Sequence, residues 1–109
     1  MILNGKAKDC FLEYYDTSTI KFLIDGKDFD DLPLYFQQSL LVNWFDSAGI
    51  FVNIDVISEN NSLELSDWFF VIKINNEDVD FITNDYYYNS RQEATTEGIK
   101  KANEIFNSL

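Results

Sequence analysis

The 109-residue sequence contains no histidine, one cysteine, one proline and one arginine. Without histidine, the chain lacks the commonest general base and metal ligand of protein active sites. Cys10 has no histidine to activate it as a nucleophile, and a lone cysteine, typical of a reducing cytoplasm, cannot form an intrachain disulfide. No cysteine–histidine cluster is present for zinc, and the four scattered glycines form no phosphate-binding loop. We therefore predict no catalytic residue, no cofactor and no metal ligand.

Long apolar runs are also missing. No stretch approaches the ~20 apolar residues of a membrane-spanning helix, and the opening MILNGKAKD lacks the apolar centre of a signal peptide. Hydrophobic residues nevertheless make up 46% of the chain and aromatic residues 17%, which is enough for a packed core. We predict a single α+β domain over residues 1–109, located in the cytoplasm and not in a membrane.

Positive charge is scarce. Nineteen acidic and eight basic residues give a net charge of −11, and Arg91 is the sole arginine. This charge repels the phosphates of nucleic acids and anionic membranes, and it favours basic partners. We expect no nucleic-acid binding and a protein partner of basic character; a solvated acidic surface without any partner is the simpler alternative.

Helical periodicity predicts two helices in the first half of the chain. Asn4 is a candidate N-cap for a helix from about Gly5 to Tyr15. Asp31 is a candidate N-cap for a second helix, with Pro33 in its first turn and Gly49 directly after its end. The expected apolar faces are Ala7, Phe11, Leu12 and Tyr15 in the first helix, and Leu34, Leu40, Leu41, Trp44, Phe45 and Ala48 in the second.

The segment between these helices favours extended structure. Ile20–Ile24 is predicted as a short strand, and Asp25-Gly26 as the turn that ends it. Gln37 falls on the apolar face of the second helix, so its amide needs hydrogen-bond partners.

At Gly49 the apolar pattern changes from a helical period to strict alternation. Glycine can adopt the left-handed conformation that ends a helix and lets the chain reverse directly into a strand. The pattern predicts strands at Ile50–Ile57, Trp68–Ile74 and Val79–Ile82, the last two joined by a turn at 75–78. The residues of the second strand expected to face the helices are Trp68, Phe70, Ile72 and Ile74.

The last helix has a clear start signal. Ser90 and Glu93 form a predicted capping box, in which each side chain accepts a hydrogen bond from the other residue's backbone N–H. The expected packed stripe, in which two small residues permit a close approach to the sheet, is Ala94, Gly98, Ala102, Ile105, Phe106 and Leu109. The predicted fold is α+β, with two N-terminal helices, a three-stranded antiparallel meander and a C-terminal helix packed on one sheet face.

Carboxylates are the only abundant reactive groups. Four aspartates crowd residues 25–31, but their order does not match an EF-hand loop and no glutamate closes it. A metal-assisted carboxylate hydrolase built on this cluster is the enzymatic alternative. Asp46 and Ser47, in the last turn of the second predicted helix, are assigned a structural role because no base or electrophile lies nearby in sequence.

Three consecutive tyrosines lie on a predicted loop. They cannot all enter one core, and surface tyrosines bury contact area at small entropic cost. The alternative is that one ring packs under the sheet while two shield its edge. The predicted interaction surface combines these rings with neighbouring carboxylates: Tyr86, Tyr87, Tyr88, Asp78, Asp80 and Asp85.

Three motifs together resemble a family of small, uncharacterised phage and prophage proteins of Bacteroidetes-type gut bacteria. They are LNGKAKDCF at the start, DLPLYFQQSLLVNWFDSAGI at 31–50 and SRQEATTEGIKKANEIFN at 90–107. Asn43 stands where that family usually has an acidic residue. The resemblance implies a phage genomic setting and no particular activity.

The order of a helix, three strands and a helix also resembles a double-stranded-RNA-binding domain. Such domains contact phosphates from a basic cluster at the start of the last helix. Here residues 90–93 carry one arginine, and only Lys100 and Lys101 follow in that helix. RNA binding is therefore rejected, and the similarity concerns topology alone.

The leading hypothesis is a phage-type accessory protein that acts by protein–protein binding and not by catalysis. A second copy of the chain is a candidate partner, because a three-stranded sheet leaves edges that need covering. The alternative is an acidic nucleic-acid mimic that inhibits a host nuclease or defence protein. Mimicry requires the acidic zones at 25–31, 55–67 and 77–85 to form one stripe.

Overall fold

The structure, a computed structural model, describes residues 1–58, 66–75 and 87–109. Its core unit is an α+β arrangement in which a C-terminal helix packs on a two-stranded antiparallel sheet. In the described residues, no helix has the length and apolar character needed to cross a membrane. The elements in chain order are α1 (Gly5–Asp16), α2 (Thr19–Leu23), a 3-10 turn (Phe29–Asp31), α3 (Leu34–Ser47), β1 (Ile50–Ser58), β2 (Ser66–Ile74) and α4 (Arg91–Asn107).

Three α-helices precede the sheet, so the expected count of two is not confirmed. α1 and α3 lie over the two predicted ranges, and α2 is additional. The predicted strand at Ile20–Ile24 is wrong because this segment is helical, and Ile20 and Ile24 both pack against the core from positions four residues apart. The predicted third strand, Val79–Ile82, lies outside the described residues.

α1 is capped by a distant side chain. Asn4 occupies the N-cap position, but its side chain makes no capping hydrogen bond, so that part of the prediction is wrong. Instead, Asn107 of α4 accepts a hydrogen bond from the Ala7 N–H at 2.7 Å. The Asn4 side-chain oxygen accepts hydrogen bonds from the amides of Asn103 and Asn107, at 2.9 and 3.0 Å. The N-terminus of α1 is therefore fixed to the C-terminal half of α4.

Aromatic rings join the helices into one core. The Phe11 ring of α1 lies 4.8 Å from the Phe29 ring and 5.6 Å from the Trp44 ring, in edge-on contacts. Trp44 in turn lies 5.0 Å from Phe106 of α4. Edge-on and tilted ring contacts of this kind add to the stabilisation that burial provides. The core thus links α1, the 3-10 turn, α3 and α4.

α3 begins later than the sequence predicts. Its N-cap residue is Pro33, and Asp31 lies in the preceding 3-10 turn without capping the helix, so the predicted Asp31 cap is wrong. The side-chain amide of Gln37 donates to the Leu32 carbonyl at 2.8 Å, which satisfies the requirement for a partner. The four apolar residues of α3 that are buried are Leu40, Leu41, Trp44 and Phe45, whereas Leu34 and Ala48 of the expected face are exposed.

The helix-to-strand junction at Gly49 is confirmed. Gly49 has a φ of 82°, and its N–H donates to the Asp46 carbonyl at 3.0 Å, which ends α3. Its carbonyl then accepts from the Asn75 N–H at 2.8 Å, in line with the register that pairs Ile50 with Ile74. The fully buried residues of the sheet are Ile50, Val52, Phe70 and Ile72, while Trp68 and Ile74 are half-buried.

α4 begins and packs largely as its pattern predicts. Ser90 accepts a hydrogen bond from the Glu93 N–H at 3.1 Å, but Glu93 reaches back to the N–H of Asn89 and not to that of Ser90. At Gly98 a Cβ atom would lie 2.9 Å from the Val52 side chain, so the expected close approach to the sheet is confirmed. Leu109, expected in the packed stripe, is exposed because α4 ends at Asn107.

The Gly98→Ala variant tests the close approach of α4. Alanine normally favours a helix over glycine, yet here its methyl group overlaps Val52 and Phe70, whose Cβ would lie 3.2 Å away. We expect a loss of about 1–3 kcal/mol in the free energy of unfolding, measured by urea denaturation. Gln92→Ala, at an exposed position of the same helix, is the control. A G98A protein as stable as Q92A would contradict the packing.

The Asn107→Ala variant tests the distant cap. It removes the acceptor for the Ala7 N–H and two donors to Asn4. We expect a loss of about 1–3 kcal/mol in urea denaturation, because a helix N-terminus and a partly buried polar network lose their partners. The exposed Asn43→Ala on α3 should change stability by less than about 0.5 kcal/mol. Equal effects of N107A and N43A would show that the cap contributes nothing.

Candidate functional site

The described part of the predicted tyrosine surface is split between the two faces of the sheet. Tyr88 pairs with Trp68 through two backbone hydrogen bonds of 2.8 and 3.0 Å, and its ring stacks on Phe70 at 6.2 Å. Tyr87 is exposed, with its ring edge-on to Phe69 at 6.3 Å. Tyr88 therefore lies along the edge of β2, and Tyr87 remains at the surface. The other members of the predicted surface, Tyr86, Asp78, Asp80 and Asp85, lie outside the described residues.

The acidic segment at 25–31 is exposed at all four of its aspartates. Asp30 lies 3.5 Å from the N-terminal amine of Met1, while Asp31 belongs to the 3-10 turn. Within the described ranges, no group of three or more histidine, cysteine, aspartate or glutamate residues is arranged to hold a metal ion. Much of the other two acidic zones, 55–67 and 77–85, lies outside the described residues, so a continuous stripe stays a prediction.

The structure brings two exposed apolar side chains together on α2. Phe22 is 82% exposed and Leu23 is 72% exposed, although Ile20 of the same helix and its C-cap residue Ile24 pack against the core. We call Phe22, Leu23 and the aspartates of 25–31 the α2 surface. Sequence reasoning missed it because Ile20–Ile24 was interpreted as a strand; the four-residue spacing of Ile20 and Ile24 was the signal for a helix.

A hydrogen-bonded framework holds the α2 surface in place. Lys21 pairs with Asp16 at 2.8 Å, and this hydrogen bond raises the pKa of Lys21. The Lys21 carbonyl accepts from the Gly26 N–H at 2.9 Å, which closes the turn after α2. The hydroxyl of Tyr15, buried at the end of α1, donates to the Lys27 carbonyl at 2.6 Å. Burial raises the pKa of Tyr15, so the hydroxyl is held as a donor.

A groove of about 700 Å³ lies between α3, β1 and the first turns of α4. Gln38 is 7% exposed, and its amide donates to the Thr96 hydroxyl at 2.6 Å. Among the described residues that line this groove there is no carboxylate and a single cation, Arg91. We call it the α3–α4 groove; its lining is Tyr35, Gln38, Ser39, Val42, Asn43, Val52, Asn53, Ile54, Arg91, Gln92 and Thr95.

Ser47 makes a hydrogen bond at the end of α3, whereas the Asp46 side chain makes none with a described residue, so the structural role assigned to the pair stays a prediction. The Ser47 hydroxyl donates to the Trp44 carbonyl at 2.6 Å, which satisfies one of the last backbone acceptors of α3. Partial desolvation raises the pKa of Asp46, whose carboxylate stands at the negative end of the helix dipole. Neither residue contacts a base or a nucleophile in the described structure, and the pair offers no arrangement for proton transfer.

The comparisons with known proteins return no relatives for this chain. No family model, curated protein or solved structure matches it. The described residues present two surfaces suited to binding. One is an exposed apolar pair beside carboxylates, and the other is a groove whose described lining has one cation and no carboxylate.

The Asp46→Asn variant tests the raised pKa. Since the folded state binds the Asp46 proton more tightly than the unfolded chain, ionisation weakens folding as pH rises through the raised pKa. We expect D46N to be about 0.5 kcal/mol more stable than the wild type at pH 7. The gain should vanish below about pH 3, where the carboxyl is protonated in both states. Urea denaturation at both pH values measures the difference.

Asp9→Asn is the matched control, because it removes the same charge from an exposed position within α1. It separates the local effect at Asp46 from the general reduction of the −11 net charge. If D46N and D9N follow the same pH profile, the local explanation is wrong.

Proposed function

We propose that this chain is an accessory protein that acts by binding a partner protein through the α2 surface, without catalysis. The observation that carries the proposal is the pair of adjacent, strongly exposed apolar side chains, Phe22 and Leu23. The resemblance of its motifs to phage and prophage proteins of Bacteroidetes-type bacteria supports a partner in the cytoplasm of such a host. The partner fits best as a basic protein.

Phe22 and Leu23 would stabilise the folded protein if they were buried, but both side chains are exposed to water. Fully burying a phenylalanine or leucine side chain is worth about 1.5–3 kcal/mol for each residue. The chain has 46% hydrophobic residues, and among its described large hydrophobic side chains Phe22 has the highest exposed fraction. A partner that covers both residues gains this burial energy, which is the usual basis of an interface anchor.

The α2 surface is also preorganised. Ile20 and Ile24 fix the helix to the core, and the Gly26–Lys21 and Tyr15–Lys27 hydrogen bonds fix the chain after it. Binding to a surface that is already held loses little further conformational entropy. A short helix of five residues would not hold its side chains in this way without such support.

The charges around α2 favour a basic partner. Four exposed aspartates and one exposed lysine, Lys27, follow Leu23 within eight residues, and the one cation of α2, Lys21, is already paired with Asp16. The complementary surface is an apolar pocket with lysine or arginine at its rim, which the net charge of −11 would attract at a distance. A second copy of this chain presents the same acids and is disfavoured as the partner at this surface.

The double variant Phe22→Ser/Leu23→Ser tests the proposal. The purified wild type and the variant are immobilised and compared for retained proteins from a lysate of a Bacteroidetes-type bacterium, at low and at high salt. We expect a basic protein on the wild type that F22S/L23S reduces at least about tenfold, as loss of an interface anchor does. Its retention should also fall with salt, because exposed charges are screened within about 10 Å at 0.1 M.

Leu34→Ser/Leu109→Ser is the control, because it removes two exposed leucines elsewhere without changing charge. It should retain the partner, and urea denaturation should give all three proteins similar stability. Equal retention by F22S/L23S and the wild type would refute the assignment of the α2 surface. Sedimentation that shows wild-type dimers, converted to monomers by F22S/L23S, would assign the surface to self-association instead.

A further inference from the structure

β1 has one edge that no described strand covers. In antiparallel pairing, the backbone groups of alternate residues point toward the partner strand and away from it. The hydrogen bond from the Asn75 N–H to the Gly49 carbonyl sets this alternation, so the groups of Phe51 and Asn53 point toward β2. Those of Val52 and Ile54 consequently point away from β2.

Two independent contacts agree with this alternation. Trp68 faces Val56 across the sheet, and its N–H and carbonyl point outward to pair with Tyr88. The outward N–H of Val56 is bonded by the side chain of Asp55 at 2.8 Å, which blocks strand pairing at that point. The open part of the edge is therefore short, and it is centred on Val52 and Ile54.

The α3–α4 groove lies along this open part. Val52, Asn53 and Ile54 line it, opposite the apolar side chains of Tyr35 and Val42 on α3. An extended chain in the groove would find backbone donors and acceptors on one side and apolar contacts on the other. This is the arrangement by which a peptide adds a strand to an exposed sheet edge.

Two polar groups of the groove, Arg91 and the Gln38 amide oxygen, indicate what its occupant should carry. Arg91 has no ion-pair partner in the described part of the chain, although the protein has more than twice as many acids as bases. Gln38 is 7% exposed, and its amide oxygen accepts no hydrogen bond from any described residue. A buried amide oxygen normally has a partner, and an arginine binds a carboxylate through two parallel hydrogen bonds.

We propose that the α3–α4 groove binds an extended segment of another protein, which pairs with the edge of β1 at Val52 and Ile54 and places an acidic side chain on Arg91. The site is separate from the α2 surface and shares no residue with it. A second copy of this chain is a poor occupant, because two proteins of −11 charge repel each other.

The period-two alternation of the edge gives a specific test by amide hydrogen exchange. In the protein alone, the N–H groups of Val52 and Ile54 should exchange at least about tenfold faster than those of Phe51 and Asn53, which already pair with β2. A pool of heptapeptides with a central glutamate and randomised flanking positions is then added at about 1 mM, a concentration suited to weak binding. Val52 and Ile54 should slow at least about tenfold, while Phe51 and Asn53 change little.

Three comparisons identify the chemistry of the occupant. The same pool with a central lysine should not slow Val52 or Ile54. Arg91→Gln should weaken the effect of the glutamate pool at least about tenfold, as loss of a charge-assisted pair does. Lys100→Gln removes the same charge from a residue of α4 that pairs with Glu97, and it should leave the effect intact. F22S/L23S should also respond as the wild type does, whether or not the α2 surface proves functional.

Several results would overturn the inference. Slow exchange at Ile54 in the dilute protein alone would mean that the edge is already covered. Slowing that depends on protein concentration and needs no peptide would make a second copy the occupant. A response to both pools, no response to either, or equal loss in R91Q and K100Q would remove the assigned role of Arg91 and the acidic segment.

Discussion

The close approach of α4 to the sheet at Gly98 is the constraint on which the other contacts depend. With no side chain at this position, the helix axis lies near enough to Val52 and Phe70 for α4 to touch both strands. From that position α4 extends Phe106 toward Trp44 and its two asparagines toward the start of α1. A wider separation would weaken all of these contacts together, since interiors tolerate little change in spacing.

The two candidate surfaces differ in the interactions that they offer. The α2 surface combines the exposed Phe22 ring and the Leu23 methyl groups with the aspartates of 25–31, so the recognition proposed for it rests on apolar burial steered by long-range attraction. The α3–α4 groove offers backbone hydrogen bonds, an arginine and amides, so its recognition rests on strand geometry. The two proposals together describe a protein that holds two dissimilar segments at separate surfaces.

Strong local patterns predicted the parts of the fold that local interactions determine. The change at Gly49 from a helical period of apolar residues to strict alternation predicted the end of α3 and the start of β1. Ser90 predicted the start of α4. Prediction failed where distant residues decide. Asparagine is a favoured N-cap residue, but the Asn4 side chain instead binds Asn103 and Asn107. No local sequence pattern predicts this long-range contact. The prediction of a strand at Ile20–Ile24 was wrong because five residues are too few for helical and extended patterns to differ clearly.

The cap of α1 has a consequence for the newly synthesised chain. Ala7 and its acceptor Asn107 are one hundred residues apart, so α4 must leave the ribosome before α1 obtains its cap. A twelve-residue helix is marginally stable in water by itself. The contacts of Phe11 and Tyr15 with the Phe29 ring do not need α4, so the rings of α1 have partners before its N-terminus does. The cap of the first helix therefore forms only once α4 is present, because the first helix depends on a residue of the last one described.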